Sequence, residues 1–412
     1  MASTEQAEHV GTLVIGGGQA GLAMSEQLSL HGLPHCVIER GRIAERWRSE
    51  RWDGLCLLGP NWATSVGGFA WNGGDPDGFA PRDAVVAFLA DYAAHIAAPV
   101  RCGVTATALC RTTDSPLYRV ETSHGPIEAN SVVIATGPFQ RPVIPAPFAG
   151  DLGVLSLHAS AYRNPAQLPD GAVLVVGAGA SGAQIAEELL RAGRHVHLSI
   201  GRHVRSPRRY RGRDSVWWRM AMGEWDEEVA GRTRPRGALA NSGAYGGYTI
   251  DYRAFAARGG VLLGRTEAMS GGVMHFACDL AESLAGGDAA LRAFCDAADA
   301  HAEREGLDLP EDPAARVGLP DPPCVTDPIR DLDLRAAGIT TIIWATGYAL
   351  DFRWIDLPVV DEVGQPRHRR GVTELPGLYF LGLPWQTRRN SAFLNGVGVD
   401  AAEIVADMLA RR

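Results

Sequence analysis

Two glycine sets, about 160 residues apart, carry the first chemistry legible in this chain. Residues 13–21 read LVIGGGQAG and residues 173–182 read VLVVGAGASG. Each is an apolar run that breaks into G-x-G-x-x-G: Gly16, Gly18 and Gly21 in the first, Gly177, Gly179 and Gly182 in the second. In such a turn the first glycine permits a sharp bend after a strand. The second lets the backbone approach a diphosphate, and the third lets a helix pack close to the strand. The helix N-terminus that follows offers free N–H groups to phosphate oxygens. Gln19 and Ala20 stand in that first turn in one case and Ser181 in the other.

The two sites differ where the next strand ends. Glu39, followed by Arg40, stands 21 residues after Gly18, where an acid accepts hydrogen bonds from a ribose diol. The matching end of the second unit reads HLSIGR, with Ser199 and Arg202 and no acid; Arg205, Arg208 and Arg209 follow. A carboxylate repels a 2′-phosphate, whereas a hydroxyl and a guanidinium bind one. The first site therefore suits an unphosphorylated adenosine ribose such as that of FAD, and the second suits NADPH. One chain with both reads as a flavoprotein reduced by a nicotinamide.

The elements that must position these residues are two βαβ units. In the first, a strand over TLVIGG leads to a helix closed by Gly32 and a strand over HCVIER. In the second, AVLVVGAG leads to a helix over GAQIAEELLRAG and a strand over HVHLSI. Helical periodicity marks residues 83–96, and residues 118–137 read as a hairpin feeding an apolar strand. The Pro-rich stretch 137–150 is a boundary signal. Residues 203–250 read as irregular, basic and aromatic, residues 276–308 as helical, and 339–347 as another apolar strand. The expected fold is α/β with two Rossmann-like dinucleotide-binding domains. The FAD domain is split over 1–150 and 335–412, and the NADPH domain over 151–334 is inserted between them.

At 412 residues the chain is long enough for such a pair of domains. It is 46% hydrophobic and 21% charged, with a net charge of −8, which gives no basic footprint for nucleic acid or anionic membrane. No apolar run reaches the length of a membrane span, and the polar start MASTEQAEHVG lacks a signal-peptide core. A cytoplasmic protein is expected, with a homodimer left open. The seven cysteines, at 36, 56, 102, 110, 278, 295 and 324, form no C-x-x-C pair, so neither zinc spacing nor a redox disulfide is supported.

The order GGGQAG, GAGASG and WATGY (344–348) resembles the class B flavin-containing monooxygenases, most closely short bacterial flavoproteins related to plant YUCCA-type enzymes. The likeness includes ERWRSERWDGLCLLGPNW (45–62) and VVIATGPFQRPVIP (132–145), and is weakest from about 205 to 330. It implies that NADPH reduces the flavin and that reduced flavin adds O₂ at C4a to give a (hydro)peroxide. Oxygen would then pass to a nitrogen, sulfur or carbonyl carbon. It implies a catalytic role for Asn61 beside flavin N5, and flavin contacts from Trp47, Arg48 and Trp52, with Arg51 and Asp53 in the same segment. The recurring Ala-Thr-Gly turns put Thr136, Gly137, Thr346 and Gly347 beside dinucleotides. Gly382 and a helix from about 395 would approach the flavin, with Trp385, Arg388 and Asn390 toward substrate.

The family fingerprint appears as Phe148, Gly150, His158 and Tyr162, with a longer gap before His158 and Tyr in place of Trp. That departure speaks against Baeyer–Villiger chemistry and leaves His158 as a linker residue. Arg211 and Arg213 read as surface ion pairs. Disulfide reductases share the two-site architecture but need a cysteine pair. The alternative reading is an FAD- and NADPH-dependent reductase or dehydrogenase without productive oxygen transfer.

Overall fold

The apolar run before the first glycines extends as β1 (Glu8–Ile15), bends at Gly16 and feeds α1 (Gln19–Leu30). β2 (His35–Glu39) returns parallel to β1, with Leu13 opposite Cys36. The computed structural model describes residues 7–113, 115–228 and 238–411. The polar start, residues 1–6, and residues 229–237 of the irregular stretch lie outside the described residues.

The chain continues through α2 (Arg82–His95), and the same sheet is extended by β3 (Val100–Cys102), β4 (Ala106–Arg111), β5 (Tyr118–Thr122) and β6 (Ile127–Ile134). The sheet order is β3-β2-β1-β6-β5-β4. β6 pairs parallel with β1 along its length and shares its other edge between two partners. Its first half pairs antiparallel with β5, Val120 opposite Ile127, and its second half pairs parallel with a late strand, Leu378–Phe380, through Leu378 opposite Val132. α1, α2 and the C-terminal helix Val397–Ala410 cover one face, where Leu22, Leu28, Leu89 and Ile404 are fully buried. Each such side chain contributes roughly 1.5–3 kcal/mol on burial.

The chain then crosses to a second sheet through β7 (Arg141–Pro142). That sheet is wholly parallel and contains β8 (Leu155–His158), β9 (Ala172–Val176), β10 (Val196–Ser199), β11 (Val261–Leu263) and β12 (Ile339–Trp344), in the order β8-β12-β9-β10-β11. α3 (Ala180–Arg191) follows β9. All five residues of β9 are buried, as a strand covered on both faces requires. β13 (Tyr348–Ala349) leads back, antiparallel to β7, so the two crossovers form one ribbon. β14 (Leu378–Phe380) and the C-terminal helix complete the first sheet and its cover.

The topology corrects the expected boundary at 334/335. β12 lies in the middle of the second sheet, between β8 and β9, so the return to the first sheet comes after Trp344. The periodic stretch at 276–308 is the 25-residue helix Leu280–Arg304. It packs Phe294, Cys295 and Ala298 against Tyr210 and Trp218 in a small core of its own. Around them, the described residues of 203–250 fold as two-residue strands and short helices, including Ser215–Ala221.

Candidate functional site

The carboxyl ends of β1, β2 and β6 open into a cleft of about 610 Å³. Gly16, Gly18, Gln19 and Ala20 line it from the first turn, Glu39, Arg40 and Trp47 from beyond β2, Thr136 and Gly137 from beyond β6, and Gly382 from the C-terminal stretch. Glu39 is held in place by two backbone donors. Its Oε2 accepts from Gly17 N at 2.7 Å and its Oε1 from Gly41 N at 2.8 Å, and each oxygen keeps a lone pair for a ribose hydroxyl. Gln19 Nε2 donates to the Ala392 carbonyl at 2.9 Å, tying α1 to the C-terminal stretch. Gln140 Nε2 bonds the Thr136 hydroxyl at 2.9 Å and the Gly137 carbonyl at 2.8 Å, which fixes that turn.

The second turn is built the same way. Gly16 N donates to Ile38 O at 2.8 Å and Gly177 N to Ser199 O at 3.1 Å. A Cβ at Gly21 would lie 1.8 Å from Gly16 O, and one at Gly182 would lie 1.8 Å from Gly177 O. These third glycines therefore seat the helix on the turn and do not line the cleft. The two Ala-Thr-Gly turns occupy matching places: Ala135 abuts Gly16, and Ala345 abuts Gly177. Thr346 donates its hydroxyl to Val143 O, and Gly347 O accepts from Val143 N at 3.0 Å. Gly179 caps α3, and Ser181 is exposed in its first turn. Arg202 is exposed and, among the described residues, has neither a hydrogen bond nor an ion pair.

Two expectations, for Ser199 and Trp52, change in the structure. Ser199 is 2% exposed. Its hydroxyl donates to Gly264 O at 2.9 Å and accepts from Thr266 N at 3.1 Å, so it seals a sheet end and faces no phosphate. Trp52 is 4% exposed and belongs to the core of the second sheet with Tyr162 and Leu189, away from the cleft lining. Arg48 spends its Nε on the Ile43 carbonyl at 3.0 Å. Asn61 is buried and is not among the cleft-lining residues; its Nδ2 donates to Asp75 O at 2.8 Å. Of the downstream arginines, Arg205 pairs with Asp251 and Asp288, Arg208 with Asp214, and Arg211 with Asp299. Arg213 stacks on Trp217.

Near the C-terminus, Arg388 pairs with Glu403 at 3.4 Å and Trp385 has φ 57° beneath Arg389. Asn61 Oδ1, Gln386 Nε2, Asn390 Oδ1 and Asp400 Oδ2 are buried without a hydrogen-bond partner. Burial pushes the Asp400 carboxyl above its ordinary range.

His158 is a clamp. Its Nδ1 accepts from Ser160 N at 3.1 Å, which leaves the proton on Nε2, and Nε2 donates to Gly347 O at 3.0 Å. Burial lowers its pKa from the ordinary value. Tyr162 is fully buried and donates to Glu188 Oε2 at 2.7 Å. Reading the sequence did not single out the loop contributors Arg46, Phe139 and Gln140, which lie in the resembling segments 45–62 and 132–145, nor Asp351 and Trp354, which carry no motif. The seven cysteines are all free, and among the described residues no helix is long and apolar enough to cross a membrane.

The pyridine nucleotide-disulphide oxidoreductase family matches residues 13–218. A CzcO-like oxidoreductase of Geobacillus kaustophilus is 34% identical, over 97% of this chain and 98% of its own. The probable indole-3-pyruvate monooxygenase YUCCA1 of Arabidopsis thaliana is 31% identical over 48% of this chain and 49% of its own. Among solved structures, a flavin-containing monooxygenase from Stenotrophomonas maltophilia shares the fold with a TM-score of 0.65 at 21% identity, over 98% of this chain and 99% of that one.

Proposed function

Because the chain belongs to the pyridine nucleotide-disulphide oxidoreductase family, in its class B flavin monooxygenase-like branch, we propose that it is an FAD- and NADPH-dependent monooxygenase of a small organic substrate. The observation that carries this reading is the contrast between two turns of the same build. One ends its second strand in a fixed carboxylate, Glu39; the other is followed, three residues past its second strand, by the exposed guanidinium of Arg202, which has no partner among the described residues. Bound flavin supplies hydride acceptance and O₂ activation, and the protein supplies binding, orientation and exclusion of water.

The first cleft would take FAD. The N-terminus of α1 meets its diphosphate, Glu39 its adenosine ribose, and Trp47, Phe139 and Trp354 give apolar walls that keep water off. Asn61 has one amide hydrogen committed to Asp75 and its Oδ1 unpartnered. Its Oδ1 and its second amide hydrogen would meet the flavin edge. The second turn would take NADPH, with α3 on the diphosphate and Arg202 on the 2′-phosphate.

The test has two stages. Flavin reduction is followed anaerobically with NADPH and with NADH. Amines, sulfides and ketones are then supplied with labelled O₂. A product that carries one labelled oxygen per NADPH consumed supports the reading. Rapid reduction with no labelled product from any of them moves the protein to the reductase class.

A further inference from the structure

We propose that Arg51 anchors the diphosphate of the nicotinamide dinucleotide where the two sheets meet; this rests on the functional reading above. Arg51 lines the first cleft and is half-buried. The other cleft arginines have acids: Arg46 with Glu50 at 2.5 Å, Arg353 with Asp351 at 2.6 Å, and Arg40 with Glu50 at 3.9 Å. Among the described residues Arg51 has no acid partner. Its Nη1 donates to Glu50 O at 3.0 Å and to the Tyr348 hydroxyl at 3.3 Å, while Nε and Nη2 make no hydrogen bond. The guanidinium stands 4.9 Å from the centre of the Phe139 ring and 5.8 Å from that of Trp47. A half-buried cation with no acid partner and with Nε and Nη2 unused gains from an anion that meets it. A guanidinium fork matches two phosphate oxygens.

Position decides which diphosphate. Trp47 joins Arg51 to the first turn, through Gln19 at 3.5 Å. Tyr348 joins it to the second, because it follows the Ala345–Gly347 turn on which Gly177 packs. Phe139 and Tyr348 both lie on the crossover segments between the sheets, and their rings meet edge to face at 5.2 Å. The diphosphate of FAD already has the N-terminus of α1. Arg51 faces the seam that a nicotinamide dinucleotide must span to bring its reactive ring to the flavin.

The experiment uses the FAD-loaded protein with Arg51→Ala and Arg51→Lys. Flavin content is measured, and the anaerobic reduction rate is followed against NADPH and NADH concentration, with dithionite as a control. Arg51→Ala is expected to keep its FAD and its dithionite reduction. It should raise the half-saturating NADPH and NADH concentrations alike, by ten-fold or more, because the diphosphate is common to both. Arg51→Lys, the milder change, should recover part of the loss. Lost FAD with unchanged NADPH dependence in the remaining holoprotein would assign Arg51 to the flavin and overturn the proposal. Unchanged saturation in both variants would reduce Arg51 to packing. A wild-type protein that NADPH does not reduce would instead sink the functional reading itself.

Discussion

At the end of β10, two side chains three residues apart meet different surroundings. Ser199 is sealed against Gly264 and Thr266, while Arg202 stands in solvent with no partner among the described residues. Arg202→Ala should therefore raise the half-saturating NADPH concentration roughly ten- to a hundred-fold, the loss of a charge-assisted bond, and leave NADH nearly unchanged in steady-state reduction. Ser199→Ala should leave both constants alone and lower stability by roughly 1–3 kcal/mol, read as a lower melting temperature. Residue type and spacing pointed to both side chains; which one is buried depends on where the strand after β11 runs, and no local pattern encodes that. His158 carries a pH prediction. Burial depresses its folded pKa, so its stabilising contribution is full above the unfolded value of about 6.5. It is lost as pH falls through the lower folded value. His158→Gln should flatten part of the acid limb in a melting-temperature series below that pH.

Among the elements, α1 and α3 were the most legible, because their glycines obey one steric demand: a Cβ at Gly21 or at Gly182 would collide with the carbonyl of the first glycine of its own turn. The two turns should therefore fail separately. Gly182→Ala should keep FAD and lose saturable reduction by NADPH, whereas Gly21→Ala should be isolated without flavin, as absorbance and reduction assays would show. The segment 45–62 was less legible. Its resemblance marks it as flavin-lining, yet Trp52 turns into the other core and Asn61 binds the loop at Asp75. Those choices are made by contacts with Leu157, Tyr162 and Asp75, distant in sequence. A loop has no period from which its facing could be read.

For the whole molecule, the α/β class and the pair of dinucleotide turns were readable from the sequence, but the seam was not. The strand at 339–344 looks like any other buried parallel strand, and only pairing reveals that it divides β8 from β9. A fragment covering 151–334 lacks that middle strand and should remain unfolded by circular dichroism. A fragment covering 151–349 should fold and bind NADPH; if both behave alike, the seam is drawn in the wrong place. The same strand order sets a timetable for a chain still on the ribosome. β9, buried along its whole length in the finished protein, emerges long before β12, and β6 similarly waits for β14. At a synthesis rate of ~5–20 residues per second, the wait between β9 and β12 is on the order of ten seconds. Throughout it an apolar strand edge is open to wrong partners. The second sheet closes only after Trp344 and the first only after Phe380, so premature termination before Trp344 leaves both sheets open, a product for proteases and chaperones rather than a smaller working enzyme.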